Sequence, residues 1–275
     1  MHAQASGDDG GMDYRARYLA AYDEQLRTDA ETPSAIAVTA LGPLRLVTFA
    51  GGRGFVTYQS LDGADAAAIV RLVGAAFGHF QADPEITQVE WKTRGHDHAP
   101  GLHQSLLDRG FVAEEAESIM IGEAQRLAVD VPLPDGVTLR QVRAESDVRA
   151  MCAMSAQAFG DSPAEGAAMA DALLCRLSLD DGMELWVAEA GRQVVSAGRL
   201  EPVPGTGFAG IWGGSTQKEW RSRGLYRALT AARARSALRQ GKTLINSDST
   251  EYSRPILERY GFLKVSTTTP YLWRR

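Results

Sequence analysis

The stretch Gln217-Lys218-Glu219-Trp220-Arg221-Ser222-Arg223-Gly224-Leu225-Tyr226-Arg227-Ala228-Leu229 decides the fold. An apolar, strand-like run (207–216) precedes it, and a helical run (225–238) follows it. The pattern predicts a strand, a tight turn with glycine, and a helix with a basic first turn. Free backbone N–H groups and the helix dipole make such a helix start attractive to an anion. Full positive charges are added by Arg221, Arg223 and Arg227. The turn is therefore suited to holding a pyrophosphate.

Length and composition are those of an ordinary globular protein. The chain has 275 residues, of which 44% are hydrophobic and 23% charged, enough for one large domain or two smaller ones. The net charge of -5 argues against a nucleic-acid partner. Residues 1–134 contain 10 Lys or Arg and 19 Asp or Glu, whereas residues 135–275 contain 19 and 15. The second part therefore holds the positive charge that an anionic cofactor needs.

Cysteine usage and the N-terminus indicate the compartment. Two cysteines, Cys152 and Cys175, give no disulfide framework and favour a reducing environment. No apolar run is long enough to span a membrane, so no membrane partner is expected. Residues 1–11 lack the parts of a signal peptide. We expect a disordered tail at 1–11 and a cytoplasmic protein.

The pattern of residues 137–273 predicts the order β-α-α-β-β-β-α-β-α-β. Strands are expected at 137–142, 184–189, 193–201, 207–216 and 243–247, and as an extended run at 262–273 that Pro270 interrupts. Helices are expected at 144–159, 163–177, 225–238 and 253–260. Such an order indicates a mixed sheet with helices packed against it.

The turn and this order together resemble the GNAT N-acetyltransferases. The acyl-CoA-binding motif of that family is Gln/Arg-x-x-Gly-x-Gly/Ala, and this sequence has Arg221-x-x-Gly224-x-Tyr226. Tyr226 replaces a small residue, and its side chain could crowd the pyrophosphate or turn outward. The segment Ser253-Arg254-Pro255-Ile256-Leu257-Glu258-Arg259-Tyr260-Gly261-Phe262 is similar to the helix and Gly-Phe turn after the fifth strand of the family. The resemblance covers residues 137–273.

The first half shows the same ending in a degenerate form. Leu107-Asp108-Arg109-Gly110-Phe111 echoes the segment that ends at Phe262, after strand-like runs and a helical run at 64–80. The resemblance therefore implies an α/β (α+β) protein of two GNAT-like units, each a mixed, mostly antiparallel sheet flanked by helices. The predicted domains are a degenerate unit at 12–121, a linker at 122–136 and an acyl-CoA-binding unit at 137–275.

The degenerate unit lacks the basic turn. Its equivalent is Ser60-Leu61-Asp62-Gly63-Ala64-Asp65, where two aspartates would repel a pyrophosphate. We expect this unit to bind no CoA and to supply structure or part of the acceptor pocket.

The resemblance also implies where acetyl-CoA binds. The pantetheine arm pairs with exposed backbone of the fourth strand, where Gly213 and Gly214 allow close approach or form a β-bulge. The turn binds the pyrophosphate. The expected cofactor-binding residues are Ser215, Thr216, Arg221, Ser222, Arg223, Gly224, Leu225 and Tyr226. No metal is expected, since His96-Asp97-His98 matches no zinc spacing and is better explained as a polar loop.

The catalytic groups are less well marked. Many family members use a tyrosine as the acid for the leaving thiolate, and that position holds Leu257 here. Ser253 is the nearest substitute in helical register, with Tyr252 and Tyr260 as alternatives. A thiol with a pKa near 8.5 can also leave without a dedicated acid. The candidate bases are Asp248 and Glu201, with Glu184 and Glu251 as further acidic candidates.

These residues favour one function over two alternatives. The first is an acetyl-CoA-dependent N-acetyltransferase that moves an acetyl group to a primary amine of a small molecule or peptide by direct attack. The alternatives are a non-catalytic acyl-CoA-binding or sensor protein and a transferase of another acyl group. A monomer and a homodimer are both compatible with the sequence.

Overall fold

The computed structural model describes residues 13–275, so the predicted tail at 1–11 lies outside the described residues. The first half comprises α1 (Tyr14–Gln25), β1 (Ala37–Leu41), β2 (Leu44–Phe49), β3 (Arg53–Thr57), α2 (Ala66–Gln81), β4 (Gln88–Arg94), α3 (Leu102–Leu107), β5 (Val112–Ala113), β6 (Glu117–Glu123) and α4 (Ala124–Leu127). The second half comprises β7 (Val137–Val142), α5 (Glu145–Phe159), α6 (Pro163–Leu177), β8 (Glu184–Ala190), β9 (Gln193–Pro202), β10 (Phe208–Thr216), α7 (Leu225–Arg239), β11 (Leu244–Ser249), α8 (Arg254–Arg259) and β12 (Leu263–Arg274). Within residues 13–275, no helix is both long and apolar enough to cross a bilayer.

All twelve strands join one sheet, in the order β1-β2-β3-β4-β12-β6-β11-β10-β9-β8-β7, with β5 beside β12. Neighbouring strands are antiparallel except for the two parallel pairs β3–β4 and β10–β11. Each parallel pair is joined by a long helix, α2 or α7, as a crossover connection requires. The predicted fold class, a mixed and mostly antiparallel sheet flanked by helices, is confirmed.

The two halves exchange their last strands. Strand β6, which ends the first half, pairs with β11 of the second half, and β12 pairs with β4 of the first. The two exchanged strands also pair with each other at the centre of the sheet. Each half therefore completes the sheet of the other, although the sequence predicts them as consecutive units.

A repeated turn precedes each exchanged strand, directly before β12 and, by way of β5, before β6. Gly110 and Gly261 both have positive φ, at 82° and 97°, which favours glycine. The next residues, Phe111 and Phe262, are buried and each donates its N–H to a helical leucine carbonyl 3.1 Å away, on Leu106 and Leu257 respectively. The local similarity that the sequence shows is thus the same helix end built twice.

Two sequence predictions differ from the structure. The 122–136 segment, predicted as a linker, begins inside β6 and contains the short helix α4. Strand β12 runs through Pro270, which the sequence predicts as an interruption. Pro270 lies where the neighbour of β12 changes from β6 to β5, so its missing N–H costs no ladder bond on that side.

The helices cover both faces of the sheet. α7 and α8 pack on one face around Ile211, Ile245 and Leu257. α1 packs on the opposite face, where Tyr18 and Tyr22 contact the exchanged strands. α5 and α6 cover β7 to β9 through a separate apolar cluster. This arrangement leaves open the gap between β10 and β11.

Candidate functional site

The strands β10 and β11 separate after three residues. Only Phe208, Ala209 and Gly210 of β10 pair with β11. The rest of β10 pairs with β9 alone, so its backbone on the β11 side has no partner strand. A cavity of about 750 Å³ occupies the gap between the two strands and extends to the start of α7.

A β-bulge lies in the wall of this cavity. The pairing of β10 with β9 shifts between Trp212 and Ser215, and Gly213 has a φ of 61° that favours glycine. The carbonyl of Ser215 accepts a hydrogen bond from the Ser196 hydroxyl at 2.7 Å, and the hydroxyls of Thr216 and Ser196 are 2.8 Å apart. These side-chain contacts fix the course of β10 beyond the bulge while its cavity side stays unpaired.

The start of α7 offers a row of backbone donors. Gly224 precedes the helix with a φ of 80°, and no side chain caps it. From Ser222 to Arg227, no backbone N–H donates to an acceptor among residues 13–275, and the first to do so is that of Ala228, to Gly224. Six consecutive amides with the dipole of a 15-residue helix behind them have the donors and the partial positive charge that an anion requires.

Arg221 lies at the rim of these donors. Its Nε donates to the carbonyl of Thr216 at 3.2 Å and its Nη2 to that of Ala158 at 3.3 Å. No carboxylate within the described chain pairs with it. Both contacts are with neutral groups, so the positive charge of Arg221 stays available to an anion in the cavity.

The cavity wall includes seven of the eight expected cofactor-binding residues. The exception is Arg223, whose guanidinium instead lies 4.8 Å from the centre of the Trp220 ring. The side chain of Tyr226 neither crowds the turn at residues 221–224 nor points outward. Its ring lies under the bulge, where a Cβ on Gly214 would come within 2.5 Å of it. Burial there raises the pKa of Tyr226.

The candidate catalytic residues fall into two places. Asp248 and Ser253 both line the large cavity. Ser253 donates to the carbonyl of Thr250 at 3.3 Å. Glu201 instead lines a smaller cavity of about 160 Å³, and its carboxylate accepts from Arg199 at 2.5 Å. The structure therefore places Asp248 in both cavities, together with Ser253 in the large one and with Glu201 in the smaller one.

The residues near the expected acid are also placed differently. Leu257 is fully buried in the core beneath the sheet and does not face the cavity. Tyr252 and Tyr260 do line it, and Tyr252 is 89% exposed. The ring of Tyr260 has the Arg227 guanidinium 5.3 Å from its centre.

The smaller cavity joins both halves and shares the walls Trp212 and Asp248 with the large one. Lys92, from β4 of the first half, lies 3.0 Å from Asp248 and 3.8 Å from Glu31. Burial lowers the pKa of Lys92, but Asp248, Tyr22 and Glu31 raise it overall. Asp248 is thus held by a charged lysine of the other half.

Sequence reasoning missed these first-half residues. Tyr22, Glu31 and Lys92 belong to no motif, and only the strand exchange brings them to the second half. Glu31 is held in turn by Arg94 and by the Thr57 hydroxyl. The sequence offered no distinguishing signal, because Lys92 is one of five polar residues among the seven of β4.

The remaining candidates of the first half lie elsewhere. Asp65 caps α2, accepting from the Ala68 N–H at 2.7 Å. His96 contacts the Ser266 hydroxyl at 2.6 Å and Asp23 at 3.0 Å. No group of three or more potential metal ligands forms within residues 13–275.

Solved structures share this architecture. A GCN5-related N-acetyltransferase from Kribbella flavida has a TM-score of 0.66 at 18% identity, covering 95% of this chain and 96% of that one. A functionally unknown conserved protein from Staphylococcus epidermidis ATCC 12228 has a TM-score of 0.66 at 12% sequence identity, and the match covers 90% of this chain and 98% of that one. A tandem GNAT protein from the clavulanic acid biosynthesis pathway has a TM-score of 0.55 at 15% sequence identity, and the match covers 84% of this chain and 78% of that one. No protein-family model and no curated protein matches the sequence. The predicted resemblance is confirmed: the chain has the GNAT fold.

Proposed function

We propose that this chain, which has the fold of the GNAT N-acetyltransferases, is an acetyl-CoA-dependent N-acetyltransferase acting on a primary amine. The observation that carries the proposal is the opening between β10 and β11. It connects the free amides of Ser222 to Arg227 with the carboxylate of Asp248 through one continuous cavity. An anionic donor and a reacting amine would meet along that path.

The donor would be held mainly by backbone. The six amides and Arg221 would bind the pyrophosphate, because they combine donors, dipole and charge without a carboxylate nearby. The unpaired side of β10 from Gly213 to Thr216 would hydrogen-bond the amide groups of the pantetheine arm. The thioester would then lie at the bulge, beside Trp212 and Asp248.

The acceptor would enter from the smaller cavity. Its charged walls have three carboxylates against two cations, a balance that favours an ammonium group, and they are Glu31, Glu201, Asp248, Lys92 and Arg176. Trp212 offers an aromatic face to the same group. A cavity of about 160 Å³ suits a small amine or the end of a peptide chain. The first half would therefore contribute directly to the acceptor site.

The transfer step needs a base and a leaving thiolate. The amine nitrogen bonds to the thioester carbonyl carbon, the C–S bond breaks, and the amine proton passes to Asp248 directly or through one water. Lys92 donates to the Asp248 carboxylate at 3.0 Å and holds it in position. The thiolate takes a proton from water or from the hydroxyl of Ser253, which lines the same cavity.

A free-thiol release assay with acetyl-CoA and a panel of amines tests the proposal. Asp248→Asn is expected to lower kcat by about 100-fold or more, since it removes the proton acceptor. The matched control is Glu251→Gln, an acidic candidate that lines neither cavity and pairs with Arg254, expected to leave kcat within about tenfold. Thiol release by none of the amines, or an equal loss in both variants, would contradict the proposal.

A second candidate, a non-catalytic acyl-CoA-binding protein, is favoured by one observation. Leu257 occupies the position of the usual acid and is buried. Binding of acetyl-CoA without thiol release across the amine panel would support this candidate over the enzyme.

A further inference from the structure

One buried arginine in the wall of the large cavity has no counter-ion. Three arginines of the described chain are buried: Arg27, Arg94 and Arg233. Arg27 pairs with Asp23 and Asp97, and Arg94 pairs with Glu31. No carboxylate of residues 13–275 forms an ion pair with Arg233, which is 1% exposed. A buried charge of this kind is costly, so its presence calls for a partner.

The guanidinium of Arg233 is only partly satisfied by neutral groups. Its Nε donates to the carbonyl of Leu229 at 3.1 Å, Nη1 to the carbonyl of Arg199 at 3.2 Å and Nη2 to the hydroxyl of Thr230 at 3.4 Å. An arginine has five N–H groups, so one on each Nη atom has no acceptor within the described chain. Burial lowers the pKa of Arg233 to about 10, which still leaves it charged at neutral pH.

The position of this charge matches the reactive end of the cavity. Arg233 lies eight residues beyond the start of α7, about 12 Å along the helix axis from the phosphate-binding amides. Its Nη1 packs against Gly198, where a Cβ would come within 2.6 Å. Gly198 is the residue of β9 that lies opposite the bulge of β10. The guanidinium is therefore below the bulge, where the proposed function places the thioester.

Two glycines make room for the groups that line this end. Gly198 admits the Arg233 guanidinium, and Gly214 admits the ring of Tyr226. Tyr226, Thr230 and Arg233 follow one another on the same face of α7. Ile211, Tyr226 and Arg233 all line the large cavity, and Arg233 is the one cation among these three. The methyl of an acetyl group would leave that cation unpaired.

We propose that Arg233 binds a carboxylate on the acyl group of the donor, so that the preferred donor is the CoA thioester of a short dicarboxylic acid. The inference rests on the proposed acyl-CoA site and specifies its acyl group. The carboxylate accepts hydrogen bonds from the two unused N–H groups, one on each Nη atom. Arginine favours such paired hydrogen bonds to a carboxylate. It takes no part in the transfer, in which the C–S bond breaks and the new C–N bond forms at the other end of the acyl chain.

Calorimetry of the full chain with CoA, acetyl-CoA, malonyl-CoA and succinyl-CoA at fixed salt tests the inference. At least one dicarboxylic thioester is expected to bind about tenfold or more tightly than acetyl-CoA. In Arg233→Gln that ratio is expected to fall to about one, while the affinities for CoA and acetyl-CoA change by less than about threefold.

The outcomes separate the two proposals. Equal or tighter binding of acetyl-CoA by the wild-type protein overturns the inference without any variant, and so does a preference that persists in Arg233→Gln. Binding of none of the four ligands would overturn the proposed function itself. Binding of all four with equal affinity overturns only the role of Arg233.

Discussion

The helices α2 and α7 hold equivalent places in the two halves, yet their first turns are chemically opposite. At α2, the Asp65 carboxylate accepts a hydrogen bond from the N–H of Ala68 and places a negative charge at the helix start. At α7, Gly224 leaves the first amides free, with Arg221 beside them. The same element is therefore closed to anions in one half and open to them in the other.

The strands that precede these helices differ in the same sense. Four of the five residues of β3 pair with β4, without a bulge. Only three of the nine residues of β10 pair with β11, and a bulge follows. A cavity thus opens between the parallel strands of the second half, whereas those of the first half stay paired. Backbone pairing, as much as the charge at the helix start, therefore distinguishes the half that we propose binds the donor from the other half.

The largest expected effect comes from separating the halves. Residues 137–275 alone would lose β6, leaving β11 and β12 without the strand between them and the core without Ile119, Met120 and Ile121. We expect no cooperative unfolding transition for this fragment, because full burial of each of these three side chains is worth about 1.5–3 kcal/mol. Their sum is comparable to the roughly 5–15 kcal/mol that stabilises a domain. Circular dichroism during heating measures whether the fragment has such a transition. A sharp transition in the fragment would show that the exchanged strands are dispensable.

The next effect concerns the anion site. Arg221→Glu places a negative charge at the rim of the free amides and is expected to weaken acetyl-CoA binding by about 100-fold or more. The matched control is Arg239→Glu, the same charge change in the exposed last turn of the same helix. Calorimetry compares the two Kd values. Equal acetyl-CoA affinity in the two variants would show that the start of α7 takes no part in binding.

A smaller effect is expected at the bulge. Gly214→Ala puts a Cβ within 2.5 Å of the Tyr226 ring, and the forced shift is expected to cost about 1–3 kcal/mol of unfolding free energy. Gly78→Ala in α2 meets no atom within 4 Å and is expected to stabilise by about 0.5–1 kcal/mol. Urea unfolding measures both. A destabilised Gly78→Ala, or an unchanged Gly214→Ala, would show that the packing differs from that described.

The smallest effect tests the closed helix start. Asp65→Ala removes the cap of α2 and is expected to lower the unfolding free energy by about 1 kcal/mol. Acetyl-CoA binding is expected to stay unchanged, because β3 and β4 remain paired and leave no cavity. A second binding event in this variant would mean that the aspartate alone kept the first half from binding.

Local signals made much of the fold predictable. The helix start at Gly224 and the Gly-Phe turns at Gly110 and Gly261 depend on neighbouring residues, so the sequence predicts them well. Strand exchange carries no such signal, since β6 and β12 have the same apolar pattern whichever neighbour they pair with. For this reason the sequence predicted Asp248 at the cavity but missed Lys92, which holds it.

The number of acyl-CoA molecules bound per chain tests the central claim most directly. Isothermal titration of the full chain with acetyl-CoA is expected to give one site per chain, and Arg221→Glu is expected to abolish it. Two sites per chain, or one site that survives Arg221→Glu, would contradict the conclusion that only the opening between β10 and β11 binds the donor.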